Sequence, residues 1–76
     1  MKNKKLCEIS LLIDFYGKLL TDKQLQNITD YYFNDLSLSE IAQNNNVSRV
    51  AIYDSIKKSE NELDDFEKKL GFIKKF

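Results

Sequence analysis

The side chains best suited to bind a ligand in this 76-residue sequence are the cationic and hydroxyl groups that follow Val47. Arginine and lysine bind phosphate, and polar side chains at the start of a helix can contact the bases or phosphates of a nucleic acid. The neighbouring Asp54 would repel phosphate. The predicted nucleic-acid or partner-binding residues are Ser48, Arg49, Val50, Tyr53, Lys57 and Lys58.

Histidine and cysteine, on which many catalytic and metal sites depend, are almost missing from the chain. It has no histidine, a single cysteine at Cys7, and no glycine-rich phosphate loop. An internal disulfide and a Cys/His zinc site therefore cannot be built from this chain alone, and no histidine is available as a general base. We expect no enzymatic activity, no cofactor and no metal, and we expect Cys7 to be a partly buried helix residue.

Two further groups of residues resemble binding sites, but each has a simpler interpretation. Acidic residues near the C-terminus alternate around a helix and would not converge on a cation, so we expect a solvated face. These residues are Glu60, Glu62, Asp64, Asp65 and Glu67. Tyr31, Tyr32 and Phe33 could stack on single-stranded bases. Because no basic residue lies among them, packing in the core is the favoured interpretation.

The composition favours a small all-α globular protein. Hydrophobic residues make up 42% and charged residues 32% of the chain, and proline is absent, which excludes collagen-like, disordered and proline-rich classes. We predict a single helical domain, residues 1–76, with four or five helices. Twelve basic and twelve acidic residues give a net charge of zero. Since nucleic-acid binders usually carry a basic excess, this balance counts against strong DNA affinity.

The N-terminal segment does not match a targeting or membrane sequence. Lysines precede apolar residues between Met1 and Ile13, but Glu8 interrupts them and the longest apolar run is Leu11 to Ile13. Signal peptides and transmembrane helices both need longer apolar stretches. We therefore expect a cytoplasmic protein.

Apolar spacing and capping patterns predict where the helices begin. A first amphipathic helix is indicated by apolar residues that recur at spacings of three and four. Its stripe consists of Ile9, Leu12, Ile13, Tyr16, Leu19 and Leu20. The next three helix starts share one arrangement, in which a hydroxyl N-cap lies between two apolar residues five positions apart. The N-caps are Thr21, Ser37 and Ser48, and Gln24 and Glu40 complete capping boxes at the first two.

These three helices are predicted to span about residues 22–34, 38–45 and 49–70. The tripeptide Asn44-Asn45-Asn46 follows the second of these helices, and asparagine tolerates the left-handed conformation that a tight turn needs. Gly71 is expected to end the last helix. Residues 59–61 are the weakest point of that helix, so its continuity stays open.

Residues 36–58 form the predicted core of a helix-turn-helix. Ala42 is small enough for two helices to cross closely, and Asn46 occupies the turn. Val47, Ile52 and Ile56 are predicted to fill the wedge between the two helices.

The second half of the last helix needs a surface to pack against. Leu63, Phe66 and Leu70 could pack on the first helix of the same chain or on the same helix of a second copy. Three more apolar residues follow, namely Phe72, Ile73 and Phe76. Because a small monomer rarely exposes a large apolar patch, this set motivates the hypothesis of a homodimer.

The sequence resembles the YlxM family of small helix-turn-helix proteins over roughly residues 11–70. The matching segments are Asp14-Phe15-Tyr16, Leu19-Leu20-Thr21, Lys23-Gln24, Tyr31-Tyr32, Leu36 to Ala42, Val47-Ser48-Arg49, Ala51-Ile52-Tyr53-Asp54 and Ile56-Lys57-Lys58. Two departures stand out. Val50 occupies a position where family members usually have a polar residue, commonly Gln, and the chain ends soon after Gly71 whereas many relatives continue.

Members of that family are small bacterial proteins that look like region four of sigma factors, and their genes tend to neighbour those of the signal recognition particle GTPase and its receptor. The resemblance implies a regulatory role in that pathway, through contact with the particle RNA or its GTPase. Arg49, Tyr53, Lys57 and Lys58 would make those contacts. Two alternatives are a DNA-binding transcriptional regulator that uses the same helix and a protein-only adaptor. The neutral net charge favours the adaptor over the regulator.

Overall fold

The computed structural model describes residues 4–75, and Phe76 lies outside the described residues. Five α-helices, with a short 3₁₀ helix between the first two, make up this part of the chain, which contains no strand. The helices are α1 (Leu6–Tyr16), α2 (Asp22–Tyr32), α3 (Leu38–Asn45), α4 (Arg49–Leu70) and α5 (Phe72–Lys75), and the 3₁₀ helix is Gly17–Leu19. The predicted all-α architecture is confirmed.

The three predicted N-caps are confirmed by their hydrogen bonds. Thr21 with Gln24 and Ser37 with Glu40 form reciprocal capping boxes with bonds of 2.9 to 3.1 Å. The hydroxyl of Ser48 accepts a bond of 3.1 Å from the backbone N–H three residues later. Each cap satisfies donors that a helix leaves unpaired at its start and contributes about 1 kcal/mol. The beginnings of α2, α3 and α4 are thus fixed by local sequence.

Left-handed residues stand at three of the turns. Asn46 has φ of 56° and Gly71 has φ of 64°, as predicted for the turn after α3 and the end of α4. Asp35 also has φ of 56°. The N–H groups of Phe33 and Asn34 both donate to the carbonyl of Thr29. As a result α2 ends at Tyr32, two residues before the predicted boundary.

Helix α4 is continuous through residues 59–61, the segment whose continuity the sequence left open. Ser59 is 0% exposed although it is polar. Its hydroxyl donates a hydrogen bond of 2.9 Å to the carbonyl of Ser55 in the same helix. Because the hydroxyl is satisfied locally, it can occupy an otherwise apolar seam without a cross-helix partner.

The second half of α4 packs against α1 of the same chain, which answers the question of its partner surface. Leu63 is 0% exposed, and Phe66 is partly buried with its ring 6.1 Å from that of Tyr16 on α1. The prediction that Leu63 contributes to a homodimer interface is therefore wrong, because the core of the same chain already covers it. Leu70, at 42% exposed, still faces outwards.

Several surface residues were predicted to be buried. Leu19 is 55% exposed, because α1 ends at Tyr16 and the 3₁₀ helix changes the angular phase of the stripe. Val47 is 48% exposed and does not fill the wedge. Cys7 is exposed in the first turn of α1. By contrast, Tyr31 and Tyr32 are buried, which confirms their predicted role in the core, whereas Phe33 is 41% exposed and lies outside it.

The acidic residues of α4 do not form the solvated face that the sequence predicts. Four of the five interact with residues earlier in the chain. Tyr32 donates to Glu60, Gln24 donates to Glu62, Lys4 forms an ion pair with Asp64, and Tyr16 donates to Glu67. Glu60 is only 5% exposed. These carboxylates therefore attach α4 to the N-terminal half of the structure.

Glu67 also joins α5 to α1. Its carboxylate accepts the Tyr16 hydroxyl at 2.5 Å and the backbone N–H groups of Ile73 and Lys74 at 3.1 Å. Tyr16 Oη in turn accepts the N–H of Phe72 at 3.1 Å, and the two rings stack with centroids 6.0 Å apart. The chain therefore folds back onto α1 after Gly71.

We expect stability to fall at both acidic and alkaline pH through the Tyr16–Glu67 contact. The Tyr16 hydrogen bond outweighs burial and lowers the pKa of Glu67 from its usual 4.5, so this stabilisation is present above that value and is lost as pH falls through the folded pKa. Burial and the bond to Glu67 raise the pKa of Tyr16 from 10.0, so its contribution is lost as pH rises through the folded pKa. In the Tyr16→Phe variant, the urea midpoint of unfolding should change less with pH than in the wild-type protein, at both acidic and alkaline pH. An unchanged pH profile in that variant would contradict the assignment.

Candidate nucleic-acid and partner interface

The turn between α3 and α4 is held by a polar cluster that sets the position of the α4 N-terminus. The side-chain amide of Asn45 donates to the carbonyl of Ile41 at 2.7 Å and to Asn27 Oδ1 at 3.4 Å. Asn27 is 3% exposed in α2. The N–H of Val47 donates back to Ala42 at 3.1 Å. The pairing of Asn27 with Asn45 was not predicted, because local periodicity does not distinguish a buried asparagine from one on the surface.

All six predicted binding residues lie on the surface at the start of α4. They do not form one patch. Arg49, Tyr53 and Lys57 are four residues apart and share one side of the helix, and we call them the cationic stripe. At 100° per residue, Lys58 lies about half a turn around the helix from Arg49. The structure therefore groups three predicted residues and separates Lys58 from them.

The cationic stripe is accessible and its charges are not neutralised within residues 4–75. Tyr53 is 40% exposed, and neither Arg49 nor Lys57 forms an ion pair with a carboxylate in this part of the chain. Arg49 lies within electrostatic reach of Tyr31 on α2: burial and the charge of Glu60 raise the pKa of Tyr31, and Arg49 partly offsets them. Two cations and a tyrosine ring are therefore presented together to solvent.

Two exposed carboxylates, one on α3 and one on α4, limit how much phosphate the helix-turn-helix can accept. Glu40 occupies the N-terminus of α3, where the backbone N–H and hydroxyl of Ser37 hold its pKa below the usual value. It is therefore ionised at neutral pH at a helix end that would otherwise attract an anion. Asp54 is exposed on the outer side of α4. The geometry suits a small number of phosphate contacts at the cationic stripe.

A second surface lies on the other side of α4, and we call it the side groove. One wall comes from the 3₁₀ helix and the start of α2, and it consists of Leu19, Thr21 and Gln24. The facing wall is α4, where it includes Ala51, Asp54, Lys58 and Glu62. Lys58 and Asp54 therefore face this groove together. Val50, at 67% exposed, lies between the groove and the cationic stripe.

Residues 4–75 contain neither a candidate metal site nor a candidate membrane span. No cluster of His, Cys, Asp and Glu side chains there could hold a metal ion. None of the helices in this range combines the length and the apolar composition that a bilayer-spanning helix needs.

A family model described as "Putative helix-turn-helix protein, YlxM / p13 like" matches residues 2–76. The UPF0122 protein of Malacoplasma penetrans is 76% identical over 76 residues, which cover 100% of this chain and 71% of the relative. A UPF0122 protein of Listeria monocytogenes is 49% identical over 73 residues, or 96% of this chain and 66% of the relative. One from Clostridium perfringens is 54% identical over 68 residues, or 90% and 61%. The chain thus spans about two thirds of the length of these curated relatives.

Proposed function

The chain belongs to this family of YlxM-like helix-turn-helix proteins, and from that premise we propose that it is a non-enzymatic regulatory protein of the signal recognition particle pathway. It modulates the particle RNA or its GTPases through the surface of α4. The link to the signal recognition particle rests on the resemblance of the sequence to the YlxM family. The proposal includes a single helical domain over residues 1–76, a helix-turn-helix core over about residues 36–58, and a cytoplasmic location.

The observation that supports this function most strongly is the cationic stripe. Arg49 and Lys57 flank Tyr53 on one accessible side of α4, so phosphate binding and ring stacking are available together. Because Asp54, Glu40 and a net charge of zero limit electrostatic attraction, the surface suits one component of a ribonucleoprotein better than an independent duplex-DNA reader.

We expect the double variant Arg49→Glu and Lys57→Glu to bind the particle RNA about tenfold more weakly, with unchanged helix content by circular dichroism. Both side chains are exposed, so their replacement removes phosphate contacts without disturbing the core. Affinity measured at several salt concentrations should also show a shallower dependence, by about 0.9 in log–log slope for each duplex phosphate that the variant no longer neutralises.

The matched control is Lys23→Glu with Lys68→Glu, which changes the net charge equally at exposed positions outside the stripe. Its two substitutions act oppositely on helix dipoles, since Lys23 is at the start of α2 and Lys68 at the end of α4. Equal RNA affinity for the two double variants would remove the stripe from the proposal.

A pull-down that compares particle RNA, the GTPase, its receptor and duplex DNA distinguishes the proposed role from its alternatives. Selective retention of duplex DNA would favour a transcriptional regulator. Retention of the GTPase or receptor with little salt dependence would favour the protein-only adaptor, because only phosphate contacts release counterions.

A further inference from the structure

We propose that the side groove binds a basic amphipathic helix of a partner protein. This surface is separate from the cationic stripe, so the inference does not depend on nucleic-acid binding. It assigns a role to Asp54, a residue of the helix-turn-helix that is unsuited to phosphate.

The dimensions of the groove match a short helix. Its open α4 wall runs from Ala51 to Lys58 through residues spaced three and four apart, over about 10 Å of helix, and the Gln24–Glu62 hydrogen bond of 3.0 Å joins the two walls at the far end. This length corresponds to roughly two turns of a partner helix. The opposite wall is held in place by the Thr21–Gln24 capping box, so the groove is preformed.

An apolar anchor point lies within the groove. Leu19 is 55% exposed, an unusual position for a leucine that comes from an otherwise core-facing stripe. It faces the groove together with Ala51, whose small side chain leaves room for a larger one from the partner. Burial of a leucine or similar residue against this pair would stabilise the complex through removal of apolar surface from water.

The charges of the groove specify the polarity of the partner. Two carboxylates, Asp54 and Glu62, face one cation, Lys58. Glu62 accepts one hydrogen bond, of 3.0 Å, from Gln24, while Asp54 forms neither a hydrogen bond nor an ion pair with the described residues. A helix that carries lysine or arginine beside its apolar anchor complements this arrangement, whereas an acidic helix would be repelled.

The two surfaces of α4 together make a bivalent element. The cationic stripe and the side groove lie on opposite flanks of the same rigid helix. A nucleic acid on one flank and a protein helix on the other can therefore be held at the same time. Binding at the groove is measurable with no nucleic acid present, so failure of one surface is distinguishable from failure of the other.

The test is an NMR titration of the full chain with a synthetic helical peptide that carries leucines on one face and lysines on the other. We expect amide shifts concentrated at residues 19–24 and 51–62. A scrambled peptide of the same composition and a leucine–glutamate peptide should produce none there. Amide shifts that spread over the surface, or that centre on Arg49 and Lys57, would overturn the proposal. A parallel titration in which an RNA hairpin shifts the amides of the groove would also overturn it.

Variants sharpen the assignment. Leu19→Asp should weaken the leucine–lysine peptide by at least about tenfold and Asp54→Asn by about threefold. The controls are Leu6→Asp, whose wild-type side chain is also 55% exposed, and Asp65→Asn, which is exposed on α4 outside the groove. If Leu19→Asp does not fold, Leu19→Ala takes its place and should also weaken binding of the leucine–lysine peptide. In Asp54→Lys, preference should move toward the leucine–glutamate peptide. Equal losses in groove and control variants would rule the groove out.

Discussion

Replacing Leu63 with alanine should lower the free energy of unfolding by about 3 kcal/mol. Leu63 is 0% exposed and lies in the middle of the second half of α4, within the core that also contains residues of α1 and α2. Removal of its side chain leaves a cavity that the surrounding helices can fill only in part. Urea unfolding followed by circular dichroism would measure the change.

The matched control for this prediction is Leu70→Ala in the same helix. Leu70 is 42% exposed, so the loss there should stay below about 1 kcal/mol. Measurements at two protein concentrations add a second criterion. If a second copy completed the core, the unfolding midpoint would rise with concentration and Leu70→Ala would be as damaging as Leu63→Ala. Equal damage at the two positions would contradict the packing of α4 on α1, and a midpoint that rises with concentration would show that a second copy adds to the stability.

The helix boundaries that were predicted correctly depend on neighbouring residues. Ser37 with Glu40, Asn46 and Gly71 each act within one or two turns of chain, and each appears in the structure as the sequence predicts. The end of α2 was placed two residues too late, because the N–H of Asn34 donates to the carbonyl of Thr29, five residues back, and does not continue the helical hydrogen-bond pattern. Local chemistry thus determines where most of these helices begin and end.

The contacts between helices were much less accessible to sequence analysis. Tyr16 and Glu67 are 51 positions apart, and Tyr32 and Glu60 are 28 positions apart. Periodicity shows which side of a helix is polar, but it contains no information on which distant group a carboxylate meets. For this reason the acidic residues of α4 were assigned to solvent.

In the candidate interface too, features set by neighbouring residues were predictable and those set by contacts between distant segments were not. Exposure of Arg49, Tyr53 and Lys57 follows from their spacing after the Ser48 cap, so these surface positions were predictable. The separation of Lys58 was not recognised, although the same spacing implies it. The side groove required the position of Leu19, which depends on how the 3₁₀ helix orients that residue toward α4.

Tyr32→Phe is expected to lower the free energy of unfolding by about 2 kcal/mol. The Tyr32 hydroxyl donates to Glu60, a carboxylate that is only 5% exposed. Without that hydroxyl, a buried acidic group loses a hydrogen-bond donor and gains no access to water, and this is more costly than the loss of the bond alone. The control is Tyr53→Phe, which should have little effect on stability. The Tyr53 side chain is 40% exposed, so loss of its hydroxyl leaves no buried group without a hydrogen bond.

A double-mutant cycle with Glu60→Met tests the cause of this effect. Methionine has a similar length and no charge, so in its presence Tyr32→Phe should lose most of its effect, with a coupling of about 1 to 2 kcal/mol. Additive losses would show that the Tyr32 hydroxyl stabilises the fold through groups other than Glu60, such as the backbone of Lys4. Because Glu60 lies on α4 directly after the region that presents Lys57, a strong coupling would also mean that this bond holds the binding helix on α2. Tyr32→Phe should then weaken RNA binding only under conditions that begin to unfold the protein, whereas Arg49→Glu with Lys57→Glu weakens it in the fully folded state.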